Sequence, residues 1–99
     1  MEIELEDEDL IKLYQGEKTP KGLQPSIGKS FLKAVRILEA TNRIEDLYKI
    51  TSLNFKALSG NKKGFFSIRV NDQYRLEFKY RIEEQITIIT ICKMSNHYS

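Results

Sequence analysis

A single histidine, His97, stands near the end of a 99-residue chain that also carries one cysteine, Cys92. A serine, threonine or cysteine nucleophile for acyl transfer needs a positioned base, which one histidine supplies poorly. One cysteine and one histidine also leave no Cys/His zinc constellation. Six of the 14 acids fall within residues 1–9 (Glu2, Glu4, Glu6, Asp7, Glu8, Asp9), so paired carboxylates for acid–base work are not indicated elsewhere. Lys, Arg, His and Tyr remain. They suffice for cleaving RNA through its own 2′-hydroxyl, because the substrate brings the nucleophile. The protein then supplies a proton acceptor, a proton donor and cations for the charge of the phosphorane. An imidazole, with an ordinary pKa of about 6.5, both takes and gives a proton near neutrality, which makes His97 the acid–base candidate. No metal and no other cofactor is expected.

The cations are unevenly spread. The net charge is only +2, yet all 16 lysines and arginines lie beyond residue 9. Between Lys49 and Arg81 stand eight bases (Lys49, Lys56, Lys62, Lys63, Arg69, Arg75, Lys79, Arg81) against Asp72 and Glu77. Such a segment suits a polyanionic partner, or a solvated lysine-rich face. Lys62 and Lys63 sit in Gly60-Asn61-Lys62-Lys63-Gly64, which lacks the glycine spacing of a P-loop and reads as a mobile tip contacting phosphate.

The elements that must position these residues follow from periodicity. Length alone predicts one domain, residues 1–99. With 40% apolar residues, no membrane-length apolar run, no secretory leader pattern and a lone cysteine, a cytoplasmic protein is expected. Met1, Ile3 and Leu5 alternate with Glu2 and Glu4, a short edge strand. Asp7, Glu8 and Asp9 precede Leu10, Leu13 and Tyr14 at helical spacing, with Gly16 as a left-handed stop. Both prolines fall in the loop 17–25. Ile27, Phe31, Ala34, Val35 and Leu38 mark one face of a longer helix. Asn42 and Glu45 have capping-box spacing before a further short turn. Four runs then predict an antiparallel meander, Ser52–Leu58, Phe65–Val70, Tyr74–Tyr80 and Ile86–Cys92. The fold class is α+β, helices on a small antiparallel sheet.

Register is set by side-chain parity. A two-residue turn at Asn71-Asp72 would pair Ile68 with Arg75 and drive an arginine into the core. A three-residue turn pairs Val70 with Tyr74, Ile68 with Leu76 and Phe66 with Phe78. That second register places Arg69 opposite Arg75 on the polar face, a like-charge pair that destabilises a sheet by a few tenths of a kcal/mol. Either an anionic ligand sits there, or Glu77 and a neighbouring acid screen the pair.

The run from Asn54 to Gly64 (NFKALSGNKKG), the segment from Phe66 to Leu76 (FSIRVNDQYRL) and the close Asn96-His97-Tyr98 resemble the HigB-type killer toxins of the RelE superfamily. The resemblance covers essentially the whole chain. It implies a RelE-like fold, ribosome-dependent endonuclease activity on mRNA, and neutralisation by a HigA-like helix-turn-helix antitoxin, through which the complex binds operator DNA. Residue by residue, it implies that Arg75, after the aromatic of Asn71-Asp72-Gln73-Tyr74, faces the scissile phosphate. It implies a proton-transfer or electrostatic role for Lys56, and general acid–base work for His97. Arg69, Lys62, Lys63 and Tyr98 would hold the RNA strand. The chain departs from the family's usual D-Y-H ending, since Asn96 precedes His97 and Tyr98 follows it. Two other readings stay open: a non-catalytic nucleic-acid- or ribosome-binding module, and a toxin-fold protein acting mainly through its antitoxin complex.

Overall fold

The computed structural model of the chain describes residues 1–96. Strand β1 (Glu2–Leu5) leads into helix α1 (Glu8–Tyr14), a loop, and helix α2 (Ile27–Ala40). Two short 3₁₀ turns, Ile44–Lys49 and Thr51–Leu53, precede strand β2 (Lys56–Ala57). Strands β3 (Phe66–Arg69), β4 (Tyr74–Glu83) and β5 (Ile86–Asn96) complete one sheet of order β1-β5-β4-β3-β2. Every neighbouring pair is antiparallel except β1 with β5, which run parallel.

The acidic start is consumed locally. Asp7 caps α1 by accepting the Leu10 amide at 3.1 Å, and Glu8 and Asp9 occupy the first turn, where the positive end of the helix favours them. Glu4 accepts two hydrogen bonds from Arg81, at 2.9 and 3.0 Å, and one from Thr90 at 3.0 Å. These bonds hold its carboxyl down at about 2 and tie the edge strand β1 to β5 and β4.

Helix α2 lays the predicted face, Phe31, Val35 and Leu38, on the sheet residues Ile68, Leu76 and Phe78, all buried. Each such side chain contributes about 1.5–3 kcal/mol by leaving water. The β3–β4 register is the one parity demanded: Phe66 faces Phe78, Ile68 faces Leu76 and Arg69 faces Arg75. Asn71 Oδ1 closes the turn, accepting the amides of Gln73 at 2.9 Å and Tyr74 at 2.8 Å.

Two local expectations fail. The run Ser52–Leu58 is not a continuous strand: Thr51–Leu53 winds into a 3₁₀ turn, Asn54 adopts the left-handed conformation, and only Lys56 and Ala57 pair with β3. Leu53 and Phe55 reach the core by that turn and not by pleating. The Asn42/Glu45 capping box does not form either. Arg43 is the cap residue and makes no side-chain capping bond, while Glu45 is ion-paired with Arg43 at 2.8 Å.

Candidate RNA-cleaving site

The polar face of the sheet carries two rows of residues in register. Lys56, Ser67, Glu77 and Lys93 are successive partners across β2, β3, β4 and β5. Arg69, Arg75 and Ser95 form the next row. A β-bulge between Glu77 and Phe78 sets this alignment: Phe78 pairs with Ile91 but Glu77 with Lys93, so Cys92 is the extra residue. The rows enclose a depression of about 280 Å³, with Lys56, Lys62, Arg75 and Lys93 around one carboxylate, Glu77, and with Ser95 and Asn96 on its β5 side.

Arg75 is 6% exposed and fixed from two sides. Its Nε donates to Ser67 Oγ at 3.0 Å, and its Nη2 donates to the Asn54 carbonyl at 2.6 Å. Nη1 has no partner among the described residues. Burial and the neighbouring charge of Arg69 lower its pKa, but a guanidinium stays charged at neutral pH. The carbonyl that aims it depends on Asn54 at φ 45° and ψ 51°, a conformation asparagine tolerates better than most residues. Phe55 anchors that turn, its ring 5.7 Å from Phe66 and 6.0 Å from Phe78, which leaves Lys56 on the polar face. Asn54→Gly is therefore expected to keep near-native stability, whereas Asn54→Val should cost about 1–2 kcal/mol. Urea denaturation midpoints check this, and equal midpoints would show that the left-handed turn is not required.

Glu77 accepts a bond from Lys62 Nζ at 2.9 Å. Burial pushes its carboxyl up, but hydrogen bonds from Lys62 and Ser95 with the charges of Lys62 and Lys93 outweigh burial, and the net shift is downward. Lys62 is held protonated by the same contact, its pKa raised. Neither partner is thus poised to exchange a proton near neutrality. Together with Arg75 they form a fixed electrostatic frame, the kind of preorganised charge that stabilises an anionic transition state.

The structure brings Lys56, Lys62 and Arg75 together. Lys62 is no mobile tip: Gly60–Lys62 forms a 3₁₀ turn and its ammonium is bound into the site. Lys63 is exposed and does not line the depression. Arg69 lies opposite Arg75 but is ion-paired with Asp72, so that acid meets part of the like-charge cost. His97 and Tyr98 lie outside the described residues. Sequence reasoning missed Ser67, Lys93, Ser95 and Asn96 as lining residues, and treated Glu77 only as a counter-charge. The readable signal was the parity break in β5, where core-facing Ile89 and Ile91 are followed by Met94 instead of residue 93. Among the described residues there is no group of three or more His, Cys, Asp or Glu side chains that could hold a metal ion. No helix among them is long and apolar enough to cross a membrane.

This sheet with its two packed helices is a RelE/YoeB-type toxin fold. The YoeB/ParE toxin from Agrobacterium tumefaciens superposes with a TM-score of 0.64 at 12% identity, covering 99% of this chain and 100% of that one. The YoeB–YefM complex from Staphylococcus aureus gives a TM-score of 0.60 at 19% identity, covering 99% and 98%. In sequence, residues 3–91 match the model of the HigB-like toxins, described as RelE-like toxins of type II toxin–antitoxin system HigB. Toxin HigB-1 of Vibrio cholerae is 36% identical over 80 residues, 81% of this chain and 84% of that protein. The chain belongs to the HigB-like family of RelE-type toxins. The matched span contains Lys56, Lys62, Arg69, Arg75 and Glu77 and ends before Lys93.

Proposed function

We propose that this toxin is a ribosome-dependent endonuclease that cleaves translated mRNA in the cytoplasm through the substrate's own 2′-hydroxyl and so halts translation. The observation that carries the reading is the buried, doubly anchored Arg75, one of four cations around a depression that contains a single carboxylate. A phosphate passing through a phosphorane gains negative charge, and an immobile guanidinium meets that charge without reorganising. Lys62 and Lys93 add positive potential, and Lys56 stands in the same row as proton-transfer or electrostatic partner. Because Glu77 and Lys62 hold each other in their charged forms, acid–base work falls to His97, which follows directly in sequence on the lining residue Asn96. Arg69, Lys63 and Tyr98 hold the strand. Membership of a type II toxin–antitoxin family supports a neutralising partner, a HigA-like helix-turn-helix antitoxin that carries the complex to operator DNA.

Expression of the chain without an antitoxin should arrest growth and protein synthesis within minutes, with cellular mRNAs cut inside their coding regions. Pulse labelling and mapping of mRNA 5′ ends read both effects. Normal growth and intact messages in cells that contain the soluble protein would contradict the proposal and favour a binding module.

A further inference from the structure

A second cationic cleft opens beside Arg69, where β2 is too short to cover the end of β3. It is lined by Ser30 and Lys33 of α2, Ser52 of the 3₁₀ turn and Arg69, above a floor that includes Leu53 and Val70, and encloses about 100 Å³. A space of that size admits a tetrahedral anion. Two cations and two hydroxyls line it with no acid among them. Lys33 has no ion-pair partner among the described residues, and Asp72, which engages Arg69, is a highly exposed side chain that an incoming anion would displace readily. Arg69 faces Arg75 across one strand spacing, roughly 5 Å between backbones, so the cleft and the Arg75 depression share the β3–β4 pair, with the cleft on its α2 side.

We propose that the Ser30–Lys33–Ser52–Arg69 cleft binds a backbone phosphate of single-stranded RNA adjoining the scissile one, leading the strand over the β3 edge toward α2. This rests on the RNA-cleavage reading above and adds the path of the substrate. The cleft supplies charge and hydroxyl donors to phosphate, contacts that position the strand.

The test uses two probes on the full chain. In an NMR titration with inorganic phosphate, the amides of Ser30, Lys33, Ser52 and Arg69 should shift saturably in the wild type, and Lys33→Ala should abolish the response. In fluorescence anisotropy with a single-stranded RNA blocked by 2′-O-methyl groups, Lys33→Ala should weaken binding and reduce the salt slope by about 0.7, one phosphate contact on a single strand. Lys29→Ala, one helical turn away and outside the cleft, should leave both readouts near wild type. Absence of the phosphate shifts, or equal effects of the two lysine changes, would overturn the cleft. Phosphate binding at the cleft without RNA binding would overturn RNA as its occupant, and RNA cleavage by wild type and Lys33→Ala at equal affinity would overturn the cleft alone.

Discussion

Arg75→Ala is expected to reduce the cleavage rate by about 10²–10³ while leaving ribosome association within a few-fold of wild type. A donor aimed at charge that develops only in the transition state contributes roughly 3–4 kcal/mol to the barrier and little to ground-state binding. The geometry predicts that even Arg75→Lys fails. The guanidinium spans Ser67 Oγ at 3.0 Å and the Asn54 carbonyl at 2.6 Å with separate nitrogens, a fork that a single ammonium does not reproduce. Single-turnover rates at saturating toxin, paired with ribosome pelleting, separate the two effects. Parallel loss of binding and rate would make Arg75 a simple phosphate contact.

His97→Ala should be at least as severe. Loss of a positioned acid–base group typically costs about 10²–10⁴ in rate. Among the described residues that line the depression, Lys62 and Glu77 are held in their charged forms by one another and Arg75 remains a cation, so these three do not replace it. Among the described residues the buried core cluster runs from Leu10 to Ile91, and the variant's thermal melt is expected to overlay that of the wild type. The wild-type rate should also fall as pH drops through the imidazole range if the neutral ring is the base, and this limb should vanish in the variant. An unchanged rate would shift acid–base work to Lys56.

How much of this was legible in the sequence depended on whether parity or backbone exceptions controlled the local structure. Helix α2 was readable from the spacing of Phe31, Val35 and Leu38, and the β3–β4 pair because a misplaced register would have buried Arg75 beside Ile68, a cost no turn preference offsets. The position of Arg75 followed from that alone. The segment before β2 misled because Leu53, Phe55 and Ala57 alternate as a strand would, while Asn54 at positive φ turns the chain out of the sheet. The turn between β4 and β5 likewise puts Glu84 and Gln85 at φ 48° and 70°, without the Asn-Gly signature that would have fixed its length. The extension of β5 to Asn96 hid behind the Cys92 bulge, and with it went the contributions of Lys93 and Ser95. Glu77 was legible as a charge but not as the clamp on Lys62, because that contact crosses from a loop to the sheet face.

Cleavage with the substrate's 2′-hydroxyl as the nucleophile leaves a distinctive pair of RNA ends. The most direct measurement is end-group analysis of a defined mRNA cleaved on programmed ribosomes, repeated with a single 2′-deoxy nucleotide at the cut. The expected products are a 2′,3′-cyclic phosphate or 3′-phosphate on the upstream fragment and a 5′-hydroxyl on the downstream one, with cleavage abolished by the deoxy substitution. A 5′-phosphate opposite a 3′-hydroxyl, or undiminished cutting at the deoxy site, would contradict the 2′-hydroxyl route.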